Sequence, residues 1–560
     1  MSTVARPHST PPRLIDWRRP PGATPKQPSR TPRRFVRRRL GLAAGLLAAV
    51  IAITAAVVLA WSGSGVTPPA TGAAAAVPAD ALAYVNLSID PGRSPVSDAR
   101  RMAARFPDWP LLETAALSRL RPLVAGSSDA NLISSIRPWV GNEASLALIA
   151  GQSATAQPLV VLDVARPARA RAFVRSAGAT SAGALDGVPI MAYPSGSELA
   201  FVGHYLVAGP DVAIRAALAA VRGGAPTLAH DPAYERAVAG EPADRVLDAY
   251  LPAAGIRQLL ASRTGVAGAI GLLLDRPAVQ GAAISVSPTP SGARVLVHSV
   301  LGGAAARVAA RAFTPTLQSV LPSGSTLMLD VDGLDRTAPA LLSAAATAGF
   351  AGNVAPLLHR VGTALKTEGV NVRQVLSLFD GETAVAISPG PSPALLIVAR
   401  VHDETAARSE LAALEGPVTS LFAPSGSAGG QVPELTDSVV GGATVHELGL
   451  GPGLQLDYAV FNGLVVVSTS VSAIDGVAQR SHALADDAAY RATLSNQPDR
   501  VSSLVFGDVS RLLALGEQVG LTSGARTHEL LPDLSTIRAI GLSGSSGKRD
   551  TTTELNLEIR

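Results

Sequence analysis

Two aspartate–tyrosine pairs recur at matched positions and are the first candidates for chemistry. Asp231 and Tyr234 in HDPAYERAV are repeated as Asp487 and Tyr490 in DDAAYRATL. A tyrosine and an aspartate can form a functional pair in a pocket, but no third catalytic group recurs beside either pair. An aspartate just before a helix accepts hydrogen bonds from free backbone N–H groups. We therefore predict two helix caps, with each tyrosine packed on the core and its hydroxyl outward.

Two glutamates stand at a second pair of matched positions. Glu143 and Glu382 each come just before a predicted strand. Two carboxylates can divide acid and base roles when their environments separate their pKa values. These two lie in different halves of the chain, and nothing in the sequence brings them together. We predict that both are solvated charges at strand edges.

Metal and nucleophile motifs are incomplete. Asp330, Asp332 and Asp335 resemble the start of a calcium loop, but the twelfth position is Leu341 where a glutamate is needed. A strand end is the preferred interpretation, with a metal site as the alternative. The run 545–548, SSGK, has the serine-x-x-lysine spacing of penicillin-interacting enzymes. That chemistry needs the serine and the lysine one helical turn apart, yet this run lies in a glycine-rich turn. The sequence therefore predicts no catalytic, cofactor-binding or metal-binding residue, no cofactor, and no enzyme.

Composition excludes further classes. The chain has 560 residues, which predicts three or four units at ~150 residues per domain. It lacks cysteine, which excludes disulfides, thiolate metal sites and cysteine nucleophiles. Eleven basic residues and one acid precede Leu40, whereas the rest of the chain carries a net negative charge. The large folded part therefore has no electrostatic footprint for nucleic acid.

The chain after residue 76 contains an internal duplication, with two copies of one unit. The first copy repeats in the same order along the second, in five matches: Val77–Asp90 with Leu321–Leu334, the runs from Gly141 and Asp380, from Gly203 and Asn462, from His230 and Asp486, and from Asp244 and Asp499. This order predicts a first α+β repeat over 77–302, a connector over 303–320 and a second α+β repeat over 321–560. Two similar domains, or two halves of one pseudosymmetric domain, both fit.

Apolar periodicity within each repeat predicts the fold class. Strand segments come in adjacent pairs, such as EASLALIA and PLVVLDVA, more often than they alternate with helices. That pattern is typical of α+β architecture with mostly antiparallel sheets covered by helices, and not of a parallel nucleotide-binding sheet.

The N-terminal part predicts a membrane anchor. Leu40–Trp61 has 22 residues without a charge, enough to span ~33 Å as a helix. Arg37, Arg38 and Arg39 precede it, so the positive-inside rule places the N-terminus in the cytoplasm. We predict a disordered basic tail over 1–39, a transmembrane helix over 40–61 and a linker over 62–76. A cleaved signal peptide is the alternative.

Several of these features together resemble a known family. The run VPADALAYV, the Asp-x-Ala-Tyr helix start, the single anchor and the doubled unit resemble domain of unknown function 3352, over roughly Val77 to Arg560. The resemblance implies a bacterial envelope protein, exposed outside the cytoplasmic membrane, with no known reaction. It carries over no catalytic residue.

These patterns favour a single-pass bacterial envelope protein with a non-enzymatic binding or structural ectodomain. Two alternatives are a carrier of lipid or another hydrophobic ligand at the outer face of the membrane, and a hydrolase with dispersed residues. The predicted partners are membrane lipid through the anchor, and another envelope protein or a hydrophobic ligand. A dry cavity lined by leucine and valine would favour the carrier.

Overall fold

The structure, a computed structural model, describes residues 66–126, 131–151, 156–261, 278–302, 311–334, 336, 377–388, 393–421, 434–451, 454–480, 482–518 and 525–560. The predicted tail over 1–39 and the predicted transmembrane helix Leu40–Trp61 lie outside these residues. Among the residues that are described, no helix is both long enough and apolar enough to cross a bilayer. The described residues therefore do not support the prediction of a membrane-spanning, single-pass protein.

The described strands form one antiparallel sheet of 20 strands. The predicted fold class was wrong, because it gave several sheets where the described strands form one. The last strand of each repeat causes the difference. The two pair with each other from Gly292 opposite Glu558 to Val300 opposite Asp550, so the two halves merge into a single sheet. Apolar alternation reveals that a segment is a strand, but it does not reveal which distant strand pairs with it.

Each repeat supplies ten of the described strands. Those of the first repeat are β1 Ala83–Ser88, β2 Val140–Ala150, β3 Ala156–Val164, β4 Thr180–Leu185, β5 Val188–Ala192, β6 Glu198–Val202, β7 Tyr205–Gly209, β8 Leu247–Pro252, β9 Val279–Thr289 and β10 Gly292–Leu301. Those of the second are β11 Leu327–Asp332, β12 Glu382–Ser388, β13 Ala394–Arg400, β14 Glu434–Val440, β15 Ala443–Gly451, β16 Leu454–Phe461, β17 Leu464–Ser468, β18 Ser503–Asp508, β19 Ile537–Ser546 and β20 Asp550–Ile559.

The two repeats lay their strands side by side in the same order. The first runs β4-β5-β6-β7-β3-β2-β1-β8-β9-β10. The second runs β14-β15-β16-β17-β13-β12-β11-β18-β19-β20. Pairing of β10 with β20 leaves β4 and β14 as the two outer edges. The predicted domain boundaries themselves stay predictions.

Tight hairpins follow from dipeptides that tolerate positive φ. Asp186–Gly187 joins β4 to β5 with φ of 50° and 80°, and Asn462–Gly463 joins β16 to β17 with φ of 52° and 73°. Positive φ at both central residues is the signature of a type I′ turn, whose twist matches that of the flanking strands. These turns fix the register of β4 with β5 and of β16 with β17.

Helices cover both sides of the sheet. Those of the first repeat are α1 Ser94–Ala103, α2 Trp109–Val124, α3 Leu132–Ile136, α4 Pro167–Ser176, α5 Asp211–Val221, α6 Pro232–Val238 and α7 Ala253–Gly255, which continues as a π-helix over Ile256–Ala261. Those of the second are α8 Glu404–Leu421, α9 Val471–Gln479, α10 Ala488–Leu494, α11 Val509–Gln518 and α12 Ala525–Thr536. Pro95, Pro110 and Pro232 lie in the first turn of their helices, where no backbone donor is lost.

Successive residues of a strand point to opposite sides, so the sheet has two apolar cores in each repeat. We call the side of Tyr84 face one and the side of Val85 face two. Helices α5 and α6 cover face one of the first repeat, and α2, α3 and α4 cover face two. In the second repeat α9 and α10 cover face one, and α8 lies on face two.

A short leading segment packs against face one in each repeat. Residues 66–76, most of the predicted linker, end in a 3-10 helix at Gly72–Ala76, in which Ala73, Ala74 and Ala76 are buried. Residues 311–320 contain the corresponding 3-10 helix at Leu317–Ser319, with Leu317 buried. Both leading segments are thus part of the folded core.

Candidate functional site

An apolar cavity lies on face two of the first repeat, between the sheet and helices α2 and α3. Its volume is about 50 Å³. Helix α2 contributes Leu117, Leu120 and Val124, helix α3 contributes Leu132, Ile133 and Ile136, and strands β2 and β3 form the floor. No ionisable side chain lines it. An almost wholly apolar lining suits apolar groups better than polar ones.

The spacing of the leucines on α2 explains why this helix covers the sheet. Residues three and four apart share one helix face, and Leu117, Leu120 and Val124 follow that spacing. The opposite side of α2 is exposed at Ala115. At the start of the helix Leu111 is also 69% exposed, so α2 does not bury all of its large apolar residues. Leu117 is only partly buried, which leaves the cavity close to the surface.

Helix α3 begins at a defined cap. The side chain of Asn131 accepts hydrogen bonds from the backbone N–H groups of Ile133 and Ser134, at 3.1 and 3.3 Å. Asparagine is among the preferred residues at this position. The cap sets the direction in which α3 lies across the cavity.

A tyrosine hydrogen-bonds the end of α2 to the connection between two strands. The hydroxyl of Tyr193, in the connection between β5 and β6, donates to the carbonyl of Val124 at 2.7 Å. The Tyr193 ring also packs against Gly126, where a Cβ atom would lie 2.8 Å from the ring. Pro122 lies inside the last turns of α2 and lacks a backbone donor, which weakens the helix there. Tyr193 therefore acts as a latch for the cavity-covering helix.

The two glutamates predicted as solvated strand-edge charges are buried, so that prediction was wrong. Glu143 is 2% exposed, and its Oε1 accepts from the Ala73 N–H at 3.1 Å and from the Tyr205 hydroxyl at 2.7 Å. Burial, the largest effect, raises the pKa of Glu143. Glu143, in β2, thus holds the first leading segment against the sheet.

Glu382 does the same in the second repeat. It is 8% exposed and accepts from the backbone N–H of Leu317 at 2.9 Å, and from Thr316. Arg400 adds an ion pair at 3.0 Å. As predicted, the two glutamates do not meet. Their burial could not be seen in the sequence, because it depends on a distant segment that folds back onto the strand.

The aspartate–tyrosine pairs are helix caps, which confirms that interpretation. Asp231 accepts from the N–H groups of Ala233 and Tyr234 at 2.7 and 2.8 Å, and Asp487 accepts from that of Ala489 at 2.9 Å. Tyr234 and Tyr490 are both buried. The predicted outward hydroxyl was wrong for Tyr490, since its oxygen is buried.

Asp330 and Asp332 of the incomplete calcium motif lie in β11, which ends at Asp332, as the preferred interpretation of a strand end had it. Asp330 is fully buried, and Asp335 lies outside the described residues. Burial, followed by the neighbouring Glu382, raises the pKa of Asp330 to about 9. In the part of the chain that the structure describes, no group of three or more histidine and acidic residues could hold a metal ion.

The serine–lysine motif falls where the sequence placed it. Ser545 and Ser546 end β19, and Gly547 and Lys548 form the turn that leads into β20. The helical turn that this chemistry needs is not found at these residues. The expectation that the protein has no catalytic or cofactor-binding residue stays a prediction.

Comparison with known proteins gives a family but no activity. The model of a family described as "Protein of unknown function (DUF3352)" matches residues 40–560. None of the curated proteins compared with the chain matches it. Crystal forms I, III and IV of TP0453 are 11–12% identical and cover 41–44% of this chain and 83–89% of their own. Their TM-scores of 0.24–0.26 are too low to support an argument about fold or function.

Proposed function

The chain belongs to the DUF3352 family of proteins of unknown function, and we propose that it binds a hydrophobic ligand without catalysing a reaction. The observation that carries this proposal is the apolar cavity beneath α2 and α3. Ligand sites are concave and mostly apolar. The ligand class is a hydrocarbon chain, because the lining offers no charged group to recognise a polar head.

The size of the cavity limits how much of a ligand fits while α2 and α3 lie against the sheet. At about 50 Å³ it is smaller than the ~150 Å³ cavity that holds benzene in a protein core. Only the end of a hydrocarbon chain therefore fits beneath the closed helices. The rest of the hydrocarbon would lie along α2, where Leu117 and Leu123 are only partly buried. Movement of α2 away from the sheet would lengthen the site.

Two features of the acidic residues support binding over catalysis. Glu143 and Glu382 accept hydrogen bonds from the leading segments, and Asp231 and Asp487 accept from helix N-termini. Carboxylates that are committed to backbone donors are poorly placed to exchange protons with a substrate. The absence of enzyme activity stays part of the proposal, and the location in the bacterial envelope stays a prediction.

Binding of cis-parinaric acid, a fatty acid that fluoresces in dry surroundings, tests the proposal on the full chain. We expect saturable binding. Replacing the floor residue Ala144, which is 4% exposed, by phenylalanine fills the cavity and should weaken binding roughly tenfold, or ~1.4 kcal/mol. Ala115→Phe adds the same ring to the exposed side of α2 and should leave binding unchanged.

Enlarging the cavity gives the opposite test. Leu146→Ala removes a lining side chain and should lower stability by ~2–5 kcal/mol. The ligand should then raise the Tm of this variant more than that of the wild type, because it refills the space. Equal binding by wild type, Ala144→Phe and Leu146→Ala would contradict the proposal, provided that circular dichroism shows all three folded.

A further inference from the structure

We propose that the outer strand β4, Thr180–Leu185, is a dimerisation surface that pairs antiparallel with β4 of a second molecule of this chain. The proposal does not depend on ligand binding. It rests on the free edge of the sheet, on the absence of charged residues from β4, and on the strand pairing that already joins the two repeats. The partner is a second molecule because one strand can pair with its own copy about a two-fold axis.

The outer edge of β4 is open. Among the described strands it pairs only with β5, from Thr180 opposite Ala192 to Leu185 opposite Val188. Five of its six residues are exposed. A Cβ atom built on Gly183 would meet nothing within 4 Å, so no other part of the described chain covers the strand there. An open edge presents unpaired backbone donors and acceptors.

The composition of β4 lacks the usual protection of an edge. Soluble proteins place charged residues or proline on free edges to prevent pairing. The sequence TSAGAL contains neither, and its small side chains allow two backbones to approach. A bulge between Ser181 and Gly183 twists the strand, and this twist is a protection that β4 does have, but no charge accompanies it.

The opposite edge of the sheet differs in this respect. Strand β14 carries Asp437 with an exposed side chain, which pairs with His446 at 2.8 Å. Antiparallel pairing of β14 with itself would bring two Asp437 carboxylates close together, and like charges across strands are destabilising. Charge therefore favours β4 over β14 as the self-pairing edge.

Strand pairing of the proposed kind already occurs within the chain. Strands β10 and β20 end the two repeats and pair antiparallel over nine residue pairs. A β4–β4 pair would extend the same sheet at the other end of the first repeat. Because β4 has only six residues, the association should be weak and should depend on concentration.

Sedimentation of the full chain over a concentration series tests the proposal. Ala182 is exposed beside the middle of β4, so a two-fold axis through the centre of the strand places the two copies of this residue at neighbouring positions. The wild type should show a monomer–dimer equilibrium. Ala182→Lys alone and Ala182→Glu alone should be monomers, because each brings like charges together. An equimolar mixture of the two variants should recover a heterodimer.

Matched variants on the other edge and hydrogen exchange locate the contact. Thr436→Lys and Thr436→Glu, at an exposed position of β14, should dimerise like the wild type. Amide exchange in 180–185 should slow as concentration rises. A wild type that stays monomeric, an Ala182 mixture that fails to associate, or filaments from β4–β14 pairing would each overturn the proposal.

Discussion

The two repeats share a strand order but differ in the polar groups that they bury at matched positions. In the first repeat Asn86 lies opposite Ser145 and Asp248, and it hydrogen-bonds to both at 2.8 and 3.0 Å. In the second repeat the matching residue is Asp330, which lies opposite Ala384 and Leu504. The amide is surrounded by polar partners, whereas the carboxyl group lies opposite apolar residues on both adjacent strands and has the carboxylate of Glu382 as its acidic neighbour.

This difference separates what the fold requires from what it tolerates. Register and strand order depend on backbone pairing and on which face each apolar residue occupies. The polar position at the centre of β1 and β11 does not set that order, since an amide with partners and a buried acid both occupy it. The second repeat accommodates the acid by favouring its neutral form, as the raised pKa of Asp330 indicates.

Exchanging Asp330 for asparagine gives the largest expected effect. The pKa of Asp330 is about 9 in the folded protein and ~3.9 in the unfolded chain. The folded state therefore holds a proton that the unfolded state releases, so stability falls as pH rises from ~4 towards ~9. Asp330→Asn removes this loss and should stabilise the protein by on the order of 3 kcal/mol at pH 8, with little gain at pH 4.

Urea unfolding at pH 4, 6 and 8 measures this dependence. Asn86→Asp is the reverse exchange in the first repeat, and it should destabilise the protein increasingly with pH because Asp248 lies 3.0 Å away. If Asp330→Asn gave the same change at all three pH values, the folded state would not hold the extra proton.

The strands and turns show how much of this fold the sequence predicts. Alternating runs identified β2 and β3 as a hairpin, and the repeated Asp-x-Ala-Tyr run predicted the caps of α6 and α10. These features depend on neighbours in sequence, so local periodicity and capping chemistry are enough to find them.

The features that the sequence did not predict depend on long-range contacts. Merging of the repeats needs β10 and β20, which are about 250 residues apart in sequence. Burial of Glu143 needs Ala73, and the cavity needs two helices to meet a sheet from another part of the chain. A lone glutamate before a strand carries no local signal of its partner. The recurrence of Glu143 as Glu382 was the signal that could have suggested a shared structural role.

Removing Glu143 should loosen the first leading segment and leave the second in place. Glu143→Ala leaves the Ala73 N–H and the Tyr205 hydroxyl without their acceptor, and should cost about 2 kcal/mol. Limited proteolysis should then cut within 66–76 while 311–320 stays protected. Glu143→Gln keeps one acceptor oxygen and should cost much less. Equal cleavage of both segments would show that the glutamate does not act locally.

The smallest expected effect concerns the latch on the cavity-covering helix of the first repeat. Tyr193→Phe keeps the ring against Gly126 but removes the hydroxyl that donates to Val124. A hydrogen bond of this kind contributes about 1 kcal/mol, so stability should fall by that amount or less. Because α2 would open more often, amide exchange along α2 and release of cis-parinaric acid should both become faster.

Ser195→Ala is the control, since its hydroxyl reaches Pro122 only at 3.4 Å and its loss should leave both rates unchanged. Faster exchange in α5 to the same degree as in α2 would mean that Tyr193 supports the whole repeat and does not latch one helix.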